Sequence, residues 1–442
     1  MRRAAPAGLV ALAWVVVGSG LSGLATYVLL VVVARAVGPV AYGDFSVFWT
    51  FVVVVSLGGF LPVEQLTART VGRRLAVGLS PGSALRDGVR SGSLVAGVVL
   101  AAGVVLLVAQ PGVPDPRLVV LVPVVVAGFV VQFAARGVLA GVRDLRGYAA
   151  VLVTDAGVRA VVAAVLWAGG VTSVLPYMVG VTASCVACAL VGLVLARRAR
   201  PPADGPAAAP DDVAAPGTDD RITTRALVPL VVAASCMQLL LNSGVLVARA
   251  VPDAEAALAG VILAVLTLVR LPVFVFQAAQ AGYVTRVAAL HRTRDGAGLR
   301  RLVALIGGVV AVVAGVTLVT AATIGPQLVR WVFGAGYDVE RGAVVLVAVG
   351  VAGYLAASVL NDLAVALGAH RAVVVAWPAA VVVAAGSLLL ARGSATWACT
   401  LPLAVGAATA ALVLGPVVAS RVRSVLSLPP GPGGPKEVDE RA

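Results

Sequence analysis

Long apolar runs alternate with short polar segments along almost the whole chain of 442 residues. A transmembrane helix needs about 20 mostly apolar residues, so each such run predicts one membrane-spanning helix. Twelve runs meet this criterion, six in each half of the chain. They are residues 8–33, 45–61, 91–109, 118–135, 148–168 and 174–196, then 226–248, 257–283, 302–324, 342–367, 372–391 and 396–419.

The composition explains why these runs cannot be the cores of soluble domains. Hydrophobic residues make up 60% of the chain and charged residues only 12%. A soluble domain has about 25% charged residues, which keep its surface solvated. The outer surface must therefore face lipid, and the sequence predicts an all-α polytopic membrane protein with about 12 transmembrane helices.

The chain divides at a segment rich in Pro, Ala and Asp. Residues 197–225 predict a disordered cytoplasmic linker between an N-terminal six-helix lobe (1–196) and a C-terminal six-helix lobe (226–420), with a flexible cytoplasmic tail at 421–442. The string VARAV ends the first span at 33–37 and the seventh at 247–251. We therefore expect two lobes related by pseudo-two-fold symmetry along the membrane normal.

The distribution of basic residues predicts the orientation. With the N-terminus in the cytoplasm, 25 Lys and Arg residues fall on the inner side and six on the outer side. The positive-inside rule accounts for this asymmetry. The net charge of +13 therefore needs no nucleic-acid partner. Both termini are therefore expected in the cytoplasm, and the composition, rich in Ala, Val, Arg and Gly with a single lysine, suggests a GC-rich bacterial genome and hence a bacterial plasma membrane.

The loops argue against an enzyme. Both histidines, His291 and His370, fall in predicted cytoplasmic loops, and the outer loops are short and hold nothing that resembles a general-base pair or a nucleophile with its base. The four cysteines lie in apolar runs, where they are expected to pack as small hydrophobic side chains. The sequence predicts no cofactor and no metal site, and a transporter is the better class.

Charged residues inside the spans are the candidate binding residues, because each costs about 2.5–3.5 kcal/mol on insertion scales. Asp155 and Arg159 lie at i and i+4 of the fifth span, where they can pair. They form either a self-neutralising pair or a pair that lines a polar cavity. Arg270 precedes Pro272 in the eighth span, which is expected to break or kink there. Arg270 either lines the cavity or makes an interhelical contact, with Asp362 as a candidate partner.

Two more polar side chains lie within later spans. Asp362, in the tenth span, is a charge without an obvious partner in the sequence. Asn242, in the seventh span, is more typical of a hydrogen bond between helices than of a ligand contact.

Four segments resemble bacterial Wzx-like polysaccharide-biosynthesis proteins, which are flippases of the multidrug/oligosaccharidyl-lipid/polysaccharide exporter superfamily. The most specific are residues 60–69 (FLPVEQLTAR) and the FG element within 325–337 (GPQLVRWVFGAGY). Residues 35–45 (RAVGPVAYGDF) and 136–159, which begin RGVLAG and end in DAGVR, add to the likeness. One departure is clear: the family's Asn-x-Asp pattern in the seventh span reads Asn242-Ser243-Gly244 here.

The resemblance implies a two-lobed bundle that moves an isoprenoid-pyrophosphate-linked oligosaccharide across the membrane for surface polysaccharide biosynthesis. It implies membrane lipid and a glycan polymerase or ligase as partners. Arg270 and Arg159, with Asp155, Asp362 and Asn242, are the expected substrate-binding residues. Arg35 and Arg249 at the outer face, and Glu64 and Gln65 at the inner end of the second span, are the expected gate residues. The plainer alternative for the two arginines is that they are anchors at the lipid interface. The plainer alternative for Glu64 and Gln65 is that they lie at a solvated helix start, which the acid caps.

Three other functions stay open from the sequence. A multidrug or cation antiporter of the same superfamily would need an unpaired acid in the first half, and Asp155 is compromised by Arg159 beside it. A membrane enzyme such as a polysaccharide polymerase or ligase would need a long outer loop. A scaffold for glycan assembly would transport nothing.

Overall fold

A computed structural model describes residues 5–79, 83–109, 116–200, 222–250, 257–391 and 393–427. These residues form fourteen α-helices and one π-helix, and no β-strand is present among them. The all-α fold class predicted from the apolar runs is therefore confirmed. The helices are α1 (Ala5–Val53), α2 (Leu61–Ala76), α3 (Ala84–Ala109), α4 (Pro116–Gly141), α5 (Leu145–Ala168), α6 (Leu175–Arg198), α7 (Thr224–Leu241), α8 (Ser243–Ala250), α9 (Leu258–Val269), α10 (Leu271–Arg292), α11 (Gly296–Phe333), α12 (Arg341–Ala366), α13 (His370–Ser387) and α14 (Ala395–Leu426), and the π-helix is Val54–Phe60.

Helix α1 contains a sharp break at Gly38, which separates the first predicted span from the second. Gly38 has φ 77° and ψ 169°, a conformation that is open to glycine and strained for other residues. Pro39 follows, and proline cannot donate the backbone hydrogen bond that would continue the first helix. The second span then runs from Pro39 through the π-helix into α2.

The described helices account for all twelve predicted spans. Ten helical segments are long and apolar enough to cross a membrane, and one of them, Gly20–Ala76, contains the break at Gly38 and so holds two spans. The eighth span is made by α9 and α10 together. Its break at Arg270, with Pro272 in the first turn of α10, confirms the kink predicted there.

Two boundaries differ from the sequence interpretation. The seventh span is divided at Asn242 into α7 and α8, although the apolar run is continuous there. Helix α14 continues to Leu426, beyond the predicted span end at residue 419. Most of the predicted linker, and the tail from residue 428 onward, lie outside the described residues.

The chain divides into two compact units, each with its own core. The first unit contains Met1–Gln238 with Glu255–Val261, and the second contains Leu239–Ala254 with Ile262–Ala442. Most of α7 is therefore grouped with the first unit, whereas the predicted N-terminal lobe stops at residue 196.

In the first unit, α4 packs closely against α2 through two glycines. A Cβ atom on Gly137 would lie 2.6 Å from the Thr67 Cβ, and one on Gly141 would lie 2.5 Å from the Val71 Cβ. Real Cβ atoms do not approach this closely, so both positions need glycine. These are the glycines of the RGVLAG segment, which therefore fixes the contact between α2 and α4.

In the second unit, α14 is the central helix and packs against α8, α12 and α13. A Cβ atom on Gly244 of α8 would lie 2.5 Å from the carbonyl oxygen of Cys399 in α14. Trp377 of α13 is fully buried, and the centre of its ring lies 5.8 Å from the centre of the Tyr354 ring of α12. These contacts hold the helices that carry the polar residues of this unit.

Candidate functional site

The ion pair predicted on α5 is present. An Arg159 guanidinium nitrogen, Nη2, contacts the Asp155 carboxylate, and Nε donates to the backbone carbonyl oxygen of Asp155 at 3.1 Å. The guanidinium also lies over the Trp49 ring, 5.5 Å from its centre. From α6, Ser184 Oγ lies within hydrogen-bond distance of Asp155 Oδ1 at 3.1 Å and of the Val181 carbonyl oxygen at 2.7 Å. Three helices therefore hold this pair.

The pair is mostly enclosed within the first unit. The Arg159 residue is 9% exposed, and the Asp155 side chain is 19% exposed. The Trp49 indole nitrogen is buried and has no hydrogen-bond partner among the described residues. A guanidinium, a carboxylate, a hydroxyl and an indole N–H thus meet inside an apolar helix bundle.

A second polar cluster in the first unit links α2, α4 and α5. Glu64 and Arg136 form an ion pair with Oε2 and Nε 3.0 Å apart. The Tyr148 hydroxyl donates to Glu64 Oε1 at 2.8 Å and accepts from Arg136 Nη2 at 2.9 Å. The guanidinium also lies over the rings of Phe133 and Tyr148, at 4.8 Å and 5.2 Å. We call Glu64, Arg136 and Tyr148 the clamp.

The clamp changes the interpretation of the expected inner gate. Glu64 is buried and bonded to two residues of its own unit, whereas the neighbouring Gln65 is exposed. The sequence did not indicate Arg136 or Tyr148 as partners of Glu64. The one feature that singled out Arg136 and Tyr148 was their place in the RGVLAG…Y segment of the family resemblance. That segment is far from Glu64 in the sequence, so no local spacing rule predicted the contact.

Arg270 occupies the junction between α9 and α10 in the second unit. Its backbone N–H donates to Leu266 O at 3.0 Å, and its carbonyl oxygen accepts from Val273 N at 2.9 Å. The residue is 4% exposed, and Thr267 one turn earlier is fully buried. A guanidinium therefore lies in the interior, at the point where a membrane helix is interrupted.

Asp362 lies in a polar cluster of the second unit whose described partners are neutral. Its carboxylate accepts from Gln280 Nε2 at 2.7 Å, from the Tyr283 hydroxyl and from Asn361 Nδ2 at 3.3 Å. Asn361 in turn accepts from Trp377 Nε1 at 3.0 Å. The described partners of Asp362 thus lie on α10 and α12, and Arg270, which the sequence offered as one alternative partner, is not among them.

The remaining expected residues are distributed over both units. Asn242 is 1% exposed and forms the break between α7 and α8, where its carbonyl oxygen accepts from Val245 N at 3.2 Å. Arg35 of α1 and Arg249 of α8 are exposed. Within the described ranges, no group of three His, Cys, Asp or Glu side chains could hold a metal ion.

Comparison with known sequences gives relatives without an assigned function. No protein-family model matches the chain. The uncharacterized protein Rv3630 of Mycobacterium tuberculosis is 27% identical over 92% of this chain and 89% of its own length. The uncharacterized protein Rv1510 of the same organism is 28% identical over 88% of this chain and 87% of its own length.

Comparison with solved structures identifies the fold. An inward-facing multidrug resistance MATE family transporter of the MOP superfamily matches with a TM-score of 0.69 and 15% identity, over 92% of this chain and 95% of that one. A MOP superfamily transporter from Pyrococcus furiosus, whose binding pocket is described as having reverse polarity, matches with a TM-score of 0.63 and 15% identity, over 95% and 96%. The chain therefore has the fold of MOP superfamily membrane transporters.

Proposed function

We propose that this protein is a flippase that carries an isoprenoid-pyrophosphate-linked oligosaccharide from the cytoplasmic to the outer leaflet. The observation that carries the proposal is the presence of buried guanidiniums, Arg159 and Arg270, inside apolar helices of a transporter fold. A cation at such depth is costly unless it has a function or a partner. Arginine suits a pyrophosphate, because its planar fork can bond two phosphate oxygens at once.

The fold supports transport by alternating access. The similar structures include inward-facing and outward-facing conformations of multidrug resistance MATE family transporters. In this proposal Arg159 of the first unit and Arg270 of the second are each pyrophosphate-binding residues, and Arg35 and Arg249 act where the head group leaves at the outer face. Gln65, exposed beside the clamp, acts at the inner end of the second span. A glycan polymerase or ligase would consume the product.

In this proposal both termini are cytoplasmic and the membrane is the bacterial plasma membrane, and three exposed tryptophans fit the alternation of helix ends that this topology requires. Trp167 ends α5, Trp331 lies near the end of α11 and Trp397 lies near the start of α14. All three are more than half exposed, and all three are at helix ends that the arginine distribution assigns to the outer side. Tryptophan is enriched at both membrane interfaces, so the three residues suit helix ends that meet one and the same interface.

A gene deletion tests the proposed function directly. Lipid-linked oligosaccharide should accumulate in the cytoplasmic leaflet of the deletion strain and a surface polysaccharide should be lost, as measured by leaflet-specific labelling of the glycan. Accumulation in the outer leaflet would instead assign the protein to polymerisation or ligation. No change in either leaflet would remove the flippase proposal.

A multidrug or cation antiporter is the second candidate, and Asp362 is the observation that favours it. A carboxylate whose described partners are all neutral is suited to a cation. The first unit offers no comparable group among the described interior acids, because Glu64 and Asp155 are both paired with arginines. Sensitivity of the deletion strain to toxic organic cations, not rescued by Asp362→Asn, would favour this candidate.

A further inference from the structure

In the Asp155–Arg159 ion pair, two contacts would hold the guanidinium in position even if the Asp155 carboxylate moved away from it. Arg159 Nε is held by the backbone carbonyl of Asp155, and the guanidinium face is held by the Trp49 ring. Neither contact involves the Asp155 carboxylate. Only Nη2 contacts that carboxylate, so this edge of the guanidinium is the part that could change partners.

The carboxylate also has an anchor of its own. Ser184 is fully buried on α6, and its Oγ lies 3.1 Å from Asp155 Oδ1 and 2.7 Å from the carbonyl oxygen of Val181, so its single proton is shared between these two acceptors. When Nη2 bonds another anion, Ser184 can turn its proton fully to Asp155 Oδ1 and so keep the carboxylate within reach of the guanidinium. A further described charge that interacts electrostatically with Asp155 is Arg136 of α4, which is itself bonded to Glu64 and Tyr148.

We propose that Asp155 is an internal competitor that drives the release of the phosphate group from Arg159. A phosphate oxygen and the Asp155 carboxylate bind the same guanidinium edge, and both cannot do so fully at once. The substrate anion displaces the carboxylate on binding, and the tethered carboxylate returns to Arg159 when the anion leaves. This competition lowers the affinity of Arg159 for the bound anion, so that the anion dissociates fast enough for turnover.

This inference rests on the proposed function, because it takes the pyrophosphate of that substrate as the anion. It adds that Asp155 limits the affinity of the first unit's Arg159 for the pyrophosphate. A transporter gains nothing from a site that holds its cargo indefinitely, since the bound state must open on the other side. Asp155 supplies the opposing charge at a distance fixed by one helical turn.

The test measures binding of farnesyl pyrophosphate to the purified full-length protein in lipid nanodiscs, by calorimetry. Asp155→Asn removes the charge but keeps the backbone carbonyl that holds Arg159 and an oxygen that Ser184 can reach. We expect this variant to bind the probe about tenfold more tightly, the size expected when one competing charge-assisted hydrogen bond is lost. Its export of lipid-linked oligosaccharide should fall, because release slows.

Two control variants separate the causes of any change. Arg159→Gln should lose the binding that Asp155→Asn strengthens. Asp87→Asn removes the same charge from another ion pair of the first unit, that with Arg74, and should leave the affinity unchanged. A gain in affinity in both Asp155→Asn and Asp87→Asn would reduce the effect to net charge and overturn the proposal.

The remaining outcomes distinguish this inference from the proposed function. If the wild type binds the probe and Asp155→Asn binds it equally or more weakly, the competitor role is overturned while the flippase proposal stands. If neither the wild type nor Asp155→Asn binds farnesyl pyrophosphate, the pyrophosphate site itself is refuted and the competitor role fails with it.

Discussion

Each unit encloses a carboxylate among an equivalent set of three spans, but on a different span of that set and with different partners. In the first unit Glu64, in the second span, is paired with Arg136 of the fourth span and Tyr148 of the fifth. In the second unit Asp362, in the tenth span, accepts from Tyr283 of the eighth, and its neighbour Asn361 contacts the eleventh. The second, fourth and fifth spans of one half correspond in order to the eighth, tenth and eleventh.

The difference teaches how each unit uses its interior charge. An ion pair held by an aromatic hydroxyl and two rings links three helices of the first unit, and its cation and anion cancel. The described partners of Asp362 leave its charge uncancelled, because all of them are neutral donors. The first arrangement stabilises helix packing, whereas the second leaves a charge available.

The same chemical change in both units should therefore have unequal effects. Glu64→Gln leaves Arg136 buried without a counter-charge, which typically costs about 3–5 kcal/mol. We expect this substitution to cause a larger loss of thermal stability in detergent than Gly137→Ala or Asp362→Asn. The double variant Glu64→Gln, Arg136→Met should recover part of it, because no charge is then left alone. An unchanged melting temperature for Glu64→Gln would show that the clamp contributes nothing to stability.

An intermediate effect is expected from the helix contact beneath the clamp. Gly137→Ala brings a Cβ atom to 2.7 Å from the carbonyl oxygen of Glu64 and still closer to Thr67, so α4 must move away from α2. Overpacking of this kind costs about 1–3 kcal/mol. Gly353→Ala on α12 is the matched control, because its Cβ would meet only the Ala407 Cβ at 3.2 Å. Equal melting temperatures for the two variants would contradict the close packing of α4 on α2.

The smallest effect on stability is expected from Asp362→Asn. The amide oxygen can still accept one hydrogen bond, and the Tyr283 hydroxyl can turn to accept one from the amide nitrogen. Because no cation loses its partner, the cost should stay below about 1 kcal/mol. A loss as large as that of Glu64→Gln would mean that Asp362 neutralises a buried cation, and the contrast between the two units would disappear.

The sequence predicted what local rules govern. Apolar runs of sufficient length gave the twelve spans, the i, i+4 spacing gave the Asp155–Arg159 pair, and Pro272 gave the break in the eighth span. Each of these depends on residues within one helix. The break at Asn242 was missed because an asparagine inside an apolar run leaves the hydropathy pattern intact.

The polar clusters were beyond local rules. Tyr148 and Glu64 are 84 residues apart, and Gln280 and Asp362 are 82 apart, so only the packing of whole helices brings them together. The RGVLAG segment carried the relevant signal in another form. Its glycines allow α4 to approach α2, and that approach is what places Arg136 beside Glu64.

The central claim is that buried guanidiniums bind the pyrophosphate head group during transport. Its most direct test is the rate at which purified protein in proteoliposomes flips a fluorescent isoprenoid-pyrophosphate glycan. Arg270→Ala should insert at normal abundance and lose flipping, whereas Arg286→Ala, an exposed arginine on α10, should keep the wild-type rate. A wild-type rate for Arg270→Ala would exclude Arg270 from the site and contradict the account.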